Sequence, residues 1–182
     1  MKTVYVFLAN GFEEIEAITT IDVLRRAGLT VKSVSITKNK SVIGAHHITV
    51  EGDSCFEENS FDDVQMLILP GGMPGATNLS NHAGLRQLLL KSEAANKPIA
   101  AICAAPFVLG RLGLLKGKQV TCYPSFENEL IGANYTGASV ELSDTMITGN
   151  GPGATMEFAL TIVKELCGEA KAREIAAGMI VN

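Results

Sequence analysis

The sequence has no tryptophan, and aromatic residues make up only 5% of its 182 residues. Proteins that bind single-stranded nucleic acid stack bases on aromatic side chains, and this chain offers few of them. An excess of positive charge is also missing, since 15 lysines and arginines stand against 19 aspartates and glutamates and leave a net charge of -4. We therefore expect neither nucleic acid nor an anionic membrane surface as a partner.

Long hydrophobic runs are missing as well. No stretch approaches the roughly 18 apolar residues of a membrane-spanning helix. The apolar run near the start ends at Ala9, which is short for the core of a signal peptide, and acidic residues follow directly. The cysteines show neither C-x-x-C pairs nor metal-ligand spacing. We expect a cytoplasmic protein whose thiols are reduced, namely Cys55, Cys103, Cys122 and Cys167.

Apolar runs alternate with amphipathic stretches along a chain that is 47% hydrophobic and 19% charged. No linker, charge block or repeat interrupts this order, so we expect one domain over residues 1–182. Strands that alternate with helices of this length form right-handed crossovers and a mostly parallel sheet. The prediction is a flavodoxin-like, doubly wound α/β sandwich with helices on both faces. Strands are predicted at 2–9, 30–36, 65–69, 98–102 and 119–122, short antiparallel strands within 41–56, a hairpin at 140–148, and helices at 13–27, 78–95, 153–167 and 169–180.

Three segments that follow predicted strands contain the residues of most chemical interest. In doubly wound sheets, reactive groups gather beyond the carboxyl ends of the strands. Segments 10–16, 70–75 and 102–106 each follow such an end. We therefore expect them to converge on one site.

Cys103 lies where a buried run meets the first turns of a helix, the position of a nucleophile elbow. Ala101, Ala104 and Ala105 are small enough for the crowded backbone of such a turn, and Pro106 suits the first helical turn. Free amides and the positive end of the helix dipole would favour a thiolate, which predicts the lowest pKa of the four thiols for Cys103. An inert core cysteine is the alternative, and the turn alone does not separate the two.

Two glycines follow another predicted strand in the stretch "ILPGGMPGA". Neither Gly71 nor Gly72 has a side chain that would obstruct a ligand. Their amides, together with that of Ala104, would form an oxyanion hole. A plain tight turn uses the same residues, so this motif is weak by itself.

Three glutamates open the first predicted helix. Glu13 and Glu14 are explained by the positive end of the helix dipole. Glu16 is different, because it lies between Ile15 and Ala17 at the boundary of the buried face. A carboxyl placed there beside a thiolate would have its pKa raised by burial and like charge. Once protonated, it would donate a hydrogen bond to the sulfur and later shuttle a proton.

Together these stretches resemble the ThiJ/PfpI superfamily, and most of all the branch of the Parkinson-disease-associated protein deglycase and the bacterial YajL-like proteins. The similarity runs from about residue 2 to residue 181, and four motifs in order are more specific than any one of them. The motifs are "LANGFEEIEAITTIDVLRRAG", "LILPGGMPGA", "AAICAAP" and "GNGPGATMEFAL".

The resemblance implies a flavodoxin-like sandwich that forms a homodimer. It implies an oxidation-prone cysteine that matches Cys103 and a partner glutamate that matches Glu16. The oxyanion amides of the family match Gly72 and Ala104. The loop "ITGNGPGA", with Gly151 and Pro152, matches one that lines the same pocket.

This chain also departs from the family pattern at three positions. Tyr123 stands where the best-known relatives have a histidine near the nucleophile, and His46 where many have an arginine. Peptidases of the superfamily have a histidine directly after the cysteine, and Ala104 occupies that place, so peptidase activity is poorly supported.

The histidines do not predict a metal site. His46 and His47 are adjacent on a predicted strand, so their side chains would point to opposite faces and could not chelate one ion. His82 lies in a polar stretch and is expected at the surface.

Two functional hypotheses share Cys103. The first is a glyoxalase III or deglycase type of enzyme that needs no cofactor and acts on methylglyoxal, glyoxal or their early adducts. Gly72 and Ala104 would hold the oxyanion, and Glu16 would move the proton. The second is a redox-responsive stress protein, a sensor or chaperone, in which Cys103 oxidises to a sulfinate. A metabolic role of another kind, with an unknown substrate, remains as a third interpretation.

The first predicted helix also supports the homodimer, because Ile15, Ile18 and the stretch 21–24 form an apolar band wide enough for both core and partner. Arg25 and Arg26 at its end would then reach the partner subunit and give an anionic substrate group a positive rim. The alternative is that both arginines complement the carboxyl end of their own helix.

Overall fold

The computed structural model describes residues 2–181, and its core is one twisted sheet between two layers of helices. The sheet has seven strands in the order β10-β11-β7-β6-β1-β2-β5, all parallel except β10. The predicted doubly wound α/β sandwich is therefore confirmed. The strands are β1 (Thr3–Leu8), β2 (Val31–Ser35), β3 (Ser41–Ile43), β4 (Thr49–Glu51), β5 (Ser54–Cys55), β6 (Val64–Leu69), β7 (Ile99–Ile102), β8 (Gln119–Val120), β9 (Asn134–Tyr135), β10 (Val140–Ser143) and β11 (Met146–Gly149); the helices are α1 (Glu14–Arg26), α2 (Gly75–Asn81), α3 (Ala83–Ala94), α4 (Pro106–Arg111), α5 (Thr155–Cys167) and α6 (Glu169–Gly178).

The central strand β1 shows why both faces of the sheet are covered. All six of its residues are buried, as a central parallel strand requires. Because successive side chains point to opposite faces, Val4, Val6 and Leu8 pack with α1 and α5, whereas Tyr5 and Phe7 pack with α2, α3 and α4. No helix among residues 2–181 is both long and apolar enough to cross a membrane.

The predicted helix 78–95 is wrong in one respect, because the structure has two helices there. The chain is extended at His82, whose ring Nδ1 accepts a hydrogen bond from the Leu85 N–H at 3.0 Å and so caps α3. The His82 ring also packs on Phe56, with ring centroids 4.6 Å apart. It is half-buried, and not the surface residue that the polar sequence suggests.

Two further predictions need correction at the strand level. The stretch 119–122 contributes only β8, which pairs with β9 in a separate two-stranded sheet and does not join the main one. The antiparallel strands expected within 41–56 are present as β3 and β4. His46 and His47, however, lie in the turn between them and not on a strand, and His47 has a positive φ of 66°.

The first helix buries a different stripe from the one that its isoleucines predict. Ile15 and Ile18 are 56% and 44% exposed, whereas Glu14 and Glu16 are buried along with Val23 and Leu24. A purely apolar face would have placed the isoleucines inside. The helix instead turns its carboxylates toward the loops at the strand ends.

Candidate active site

The three segments expected to converge do meet, because β1, β6 and β7 lie side by side and end at the same edge of the sheet. The Glu13 N–H donates to the carbonyl of Gly71 at 3.0 Å, and the Gly75 N–H donates to that of Gly11 at 3.1 Å. These bonds join the loop after β1 to the loop after β6, with the loop after β7 beside them.

Cys103 forms a strained elbow between β7 and α4. Its φ of 63° lies in the left-handed region, which costs a residue other than glycine roughly 1–2 kcal/mol. Hydrogen bonds on both sides hold it there: its N–H donates to Gly149 at 2.9 Å, and its carbonyl accepts from Tyr123 at 2.8 Å. Ala101, Ala104 and Ala105 around it are buried, as the crowded turn requires.

Glu16 reaches this elbow from the first turn of α1 and is completely buried. Its Oε2 accepts a hydrogen bond from the Gly71 N–H at 2.7 Å, while Oε1 accepts none from the backbone. The carboxyl also shares a hydrogen bond with the Cys103 thiol. In this bond the thiol donates and the carboxylate accepts, since the bond lowers the pKa of Glu16 and raises that of Cys103.

Gly71 makes this contact possible. A Cβ at Gly71 would lie 2.6 Å from the Cβ of Cys103 and 2.9 Å from Oε2 of Glu16. Any side chain there would push the carboxyl and the sulfur apart, so the glycine serves close packing and not an unusual backbone angle.

The pKa of the Cys103 thiol is raised, and not lowered as the helix dipole alone predicts. Burial, together with the neighbouring Glu16 carboxylate, raises the pKa of Cys103 to about 12, and hydrogen bonds from the N–H groups of Gly72 and Ala104 oppose this only in part. Burial also raises the pKa of Cys122 to about 12, so a low resting pKa does not set Cys103 apart. The helix α4 has only six residues, and its dipole is outweighed.

The pKa of the Glu16 carboxyl is raised as well. Burial raises the pKa of Glu16 to about 7, although hydrogen bonds from Gly71 and Cys103 oppose the shift. Glu16 thus changes protonation near neutral pH beside a sulfur that keeps its proton. The predicted carboxyl next to the sulfur is found in the expected place with a raised pKa.

A cavity of about 360 Å³ opens above the sulfur. It brings together the predicted residues Gly72, Ala104, Tyr123, His46 and Pro152. Gly151 is placed beneath Tyr123, where a Cβ would lie 3.2 Å from the tyrosine ring. Four lining residues were not anticipated as ligand contacts, because only the turns they occupy bring them here: Glu13, Ala45, Met73 and Phe126.

His46 stands at the mouth of this cavity, held by the buried Glu14. One oxygen of Glu14 accepts from the His46 N–H at 2.7 Å, and the other lies 2.8 Å from the ring Nδ1. Although burial acts against it, hydrogen bonding to His46 lowers the pKa of Glu14, and the same bond raises the pKa of His46. Glu14 therefore does more than complement a helix dipole.

Glu13, Glu14 and His46 have donor atoms within 4.8 Å of one another, a grouping that the sequence did not suggest. Both oxygens of Glu14 are already bound to the turn 46–48, so the hydrogen bonds explain the grouping without a metal.

Arg25 and Arg26 do not border the cavity of their own chain. Arg25 is bound to Asp53 and Arg26 to Asp22, each at 2.7 Å. The positive rim expected on the partner subunit, and the alternative that both arginines complement the carboxyl end of their own helix, both remain predictions.

A second groove, with a volume of about 540 Å³, lies between α5 and α6. Both of its basic residues, Lys164 and Arg173, bind Glu169. It contains no cysteine or histidine, so the smaller cavity above Cys103 is the one with reactive chemistry.

Comparisons with known proteins show which family and which relatives this chain is similar to. The model of the DJ-1/PfpI family matches residues 2–165. Protein dj-1beta of Drosophila melanogaster is 37% identical over 183 residues, covering 99% of this chain and 97% of the relative. Protein DJ-1 homolog B of Arabidopsis thaliana is 36% identical over 183 residues, and the chain spans only 42% of its length. A Bacillus subtilis protein named putative cysteine protease YraA is 33% identical over 155 residues, which cover 83% of this chain and 90% of that protein.

Solved structures agree in fold over the whole chain. Toxoplasma gondii DJ-1, described as oxidized, superimposes with a TM-score of 0.95 at 34% identity and covers 99% of this chain and 98% of its own. A mutant of a DJ-1 superfamily protein from Salmonella typhimurium gives a TM-score of 0.95 at 35% identity, with 100% of both chains covered.

Proposed function

Because this chain belongs to the DJ-1/PfpI family, we propose that its Cys103–Glu16 pair catalyses a cofactor-independent reaction on small reactive carbonyl compounds, of the glyoxalase III or deglycase type. Methylglyoxal, glyoxal and their early adducts are the proposed substrates. One observation supports this most strongly: the thiol has a carboxyl that titrates near neutral pH on one side and two backbone N–H donors on the other, beneath an open cavity.

With methylglyoxal, the reaction begins when the sulfur of Cys103 bonds to the aldehyde carbon and its proton passes to Glu16. The Gly72 and Ala104 N–H groups stabilise the oxygen that becomes negative, as in an oxyanion hole. Glu16 returns this proton to the oxygen, which completes the hemithioacetal and leaves the carboxylate free. The carboxylate then takes the proton from the first carbon and delivers it to the second, while the hydroxyl proton of the first carbon passes to the oxygen of the second, so that the hemithioacetal becomes a lactoyl thioester. Water cleaves the thioester, so that methylglyoxal and water give lactate and the free thiol.

Lactate formation from methylglyoxal by the pure protein tests this proposal. Cys103→Ser should lower the rate at least ~100-fold, because an alcohol is a far weaker nucleophile than a thiol. The control is Cys167→Ser, at an exposed cysteine at the end of α5, which should keep the wild-type rate. A Cys103→Ser protein that still forms lactate would contradict the proposed nucleophile.

A redox-responsive role for the same cysteine is the second candidate. It is favoured by the two N–H donors and the protonatable Glu16 at the sulfur, which would stabilise the oxygens of a sulfinate. Limited peroxide treatment followed by peptide mass spectrometry separates the two roles. Selective oxidation of Cys103 in a protein without measurable turnover would favour this candidate over the enzyme.

Peptidase activity is not proposed, although one relative has a protease name. Ala104 follows the cysteine directly, and the one histidine that lines the cavity, His46, is bound to Glu14. The histidine that directly follows the cysteine in peptidases of the superfamily is therefore missing from this chain.

We also propose that the protein is a homodimer in the cytoplasm. Support for the dimer comes from the family resemblance and from exposed isoleucines on α1 and on the β3–β4 hairpin, where Ile43 and Ile48 are about half exposed. Support for the compartment comes from the four cysteines, all of which are free thiols.

A further inference from the structure

His82 forms the corner between α2 and α3, among the helices that cover the opposite face of the sheet from α1 and α5. Helix α2 alone separates this corner from the loop that carries Gly71 and Gly72. We propose that the corner is an acid-sensitive joint, in which protonation of the His82 ring removes the cap of α3 and loosens the first turn of that helix. The proposal does not depend on any reaction at Cys103.

Three hydrogen bonds of His82 hold the two helices at this corner. Its N–H donates to the carbonyl of Leu79 at 3.2 Å and so closes α2, and its carbonyl accepts from the Arg86 N–H at 3.1 Å. Its ring Nδ1 accepts from the Leu85 N–H at 3.0 Å. A ring nitrogen accepts a hydrogen bond only when it has no proton, so the cap requires the neutral ring with its proton on Nε2.

Protonation reverses the role of this nitrogen. In the imidazolium, Nδ1 becomes a donor, and its N–H would face the N–H of Leu85. The ring would also place a positive charge at the positive end of the dipole of α3, a helix of 12 residues. The charged ring therefore cannot cap the helix that the neutral ring caps.

The ring is half-buried against aromatic side chains. Its centroid lies 4.6 Å from that of Phe56, which packs on Phe61 at 4.8 Å. Gly84 leaves the space for this contact, since a Cβ there would lie 2.8 Å from Cε1 of Phe56 and 3.3 Å from Cε1 of His82. Removing an imidazolium from water in this way is unfavourable unless a partner compensates for it.

The charged groups near His82 do not supply that compensation. In the turn 56–58, Glu57 favours the imidazolium, whereas Glu58 accepts a hydrogen bond from a backbone N–H of its own turn. Helix α2 has no charged residue, the first one of α3 is Arg86, and Arg111 of the neighbouring α4 is held in an ion pair. Burial therefore lowers the pKa of His82 from its ordinary 6.5, although the charge of Glu57 acts against this.

The first turn of α3 should consequently open more readily in acid. Because the folded-state pKa of His82 lies below 6.5, the contribution of the cap is complete above pH 6.5 and is lost as the pH falls through the folded-state value. Loss of a cap, with a cation left at the positive end of the helix, should increase local opening about 10-fold.

Amide hydrogen exchange over residues 83–89 measures this opening. Each rate is divided into the intrinsic rate at the same pH, and the resulting protection of the wild-type protein should fall about 10-fold between pH 7.5 and pH 4.5. His82→Asn and His82→Ser keep a side-chain oxygen that caps a helix and does not titrate, so their protection should stay constant. His47→Asn makes the same substitution at an exposed histidine in another turn and should keep the wild-type dependence on pH.

The ring gives a second readout in ¹H–¹⁵N spectra. At pH 7.5 the His82 ring should have its proton on Nε2, and it should titrate with a pKa below 6.5. A ring with its proton on Nδ1 would overturn the proposal. So would a wild-type protection that is the same at pH 7.5 and pH 4.5, or an equal loss of protection in His82→Asn and His82→Ser.

Discussion

Glu16 and Cys103 hold one proton between them from about pH 7 to about pH 12, because burial separates their pKa values in this way. The singly protonated pair is the form that can pass the thiol proton to the carboxylate. We therefore predict that kcat/KM for methylglyoxal rises with pH through about 7 and then reaches a plateau.

Glu16→Gln should lose both the turnover and this pH dependence while keeping a reactive thiol. The Glu16 carboxylate raises the pKa of Cys103, so its removal should leave alkylation by iodoacetamide as fast as in wild type or faster. Steady-state rates from pH 5 to 9, with alkylation rates on the same samples, measure both effects. Retained turnover would show that the proton moves by another route, with Tyr123 or a water as the next suspects.

The buried carboxyl should also lower the stability of the fold at alkaline pH. The folded-state pKa of Glu16, about 7, lies above its ordinary 4.5. Its contribution to stability is thus fully present below pH 4.5 and is lost as the pH rises through 7. Since each pKa unit corresponds to about 1.4 kcal/mol, the loss approaches about 3 kcal/mol.

Glu16→Gln, which is neutral at every pH, should accordingly gain up to about 3 kcal/mol over wild type at pH 8 and little at pH 4.5. Urea unfolding at the two pH values measures the difference in free energy. Glu165→Gln, which makes the same substitution at an exposed position of α5, serves as the control, and its stability relative to wild type should not change between the two pH values. A Glu16→Gln gain that is the same at both pH values would contradict the raised pKa.

At the residue scale, the sequence predicts that Cys103 and Glu16 lie together but not how they are charged. Local sequence patterns identify the small residues beside Cys103 and the position of Glu16 on a buried helical face. They do not reveal the thiol pKa, because it depends on burial and on the Glu16 carboxylate, which segments distant in sequence bring to the sulfur. For the same reason, the carboxylate of Glu13 was not recognised as part of the cavity wall.

At the scale of elements, the turn after β6 should be the least tolerant part of the site. We predict that Gly71→Ala abolishes activity, since its Cβ would lie 2.6 Å from that of Cys103 and 2.9 Å from Glu16 Oε2. Backbone strain is not the reason, because Gly71 does not have a positive φ. Gly153→Ala is a matched control in another loop, where a Cβ would meet nothing within 4 Å.

Turnover and thermal melting of the two variants check this prediction. Gly153→Ala should match wild type in both, whereas Gly71→Ala should lose turnover even if it folds. A Gly71→Ala protein with normal activity would show that the loop can move away without disturbing the pair of Cys103 and Glu16.

Long periodic elements were predicted well and short ones poorly. Helix α1 and strands β1 and β6 have patterns that local spacing defines. The turn at 44–48 was read as strand because nothing nearby reveals that Glu14, some 32 residues earlier, holds it in place. The break at His82 was missed because a histidine acts there as a helix cap, a role usual for serine or aspartate.

At the scale of the whole molecule, alternating strands and helices were enough to predict the fold class. The order β10-β11-β7-β6-β1-β2-β5 was not, because pairing between distant strands leaves no local signal. The convergence of segments 10–16, 70–75 and 102–106 needed only that their strands be parallel. This is why the site was predictable in outline even though the sheet order was unknown.

The exposed isoleucines lead to a prediction about assembly. Ile15 and Ile18 on α1 are 56% and 44% exposed, and Ile43 and Ile48 belong to the hairpin that Glu14 ties to α1. Burying these side chains against a second copy would remove apolar surface from water at roughly 25 cal/mol per Å². Sedimentation at micromolar concentration should therefore show a dimer.

Ile18→Glu should weaken the dimer at least ~100-fold, because a buried interface would have to accept an unpaired charge. Leu90→Glu, at a similarly exposed position on α3, should leave the dimer intact. A wild-type monomer with full activity would remove any role of a partner chain in the site.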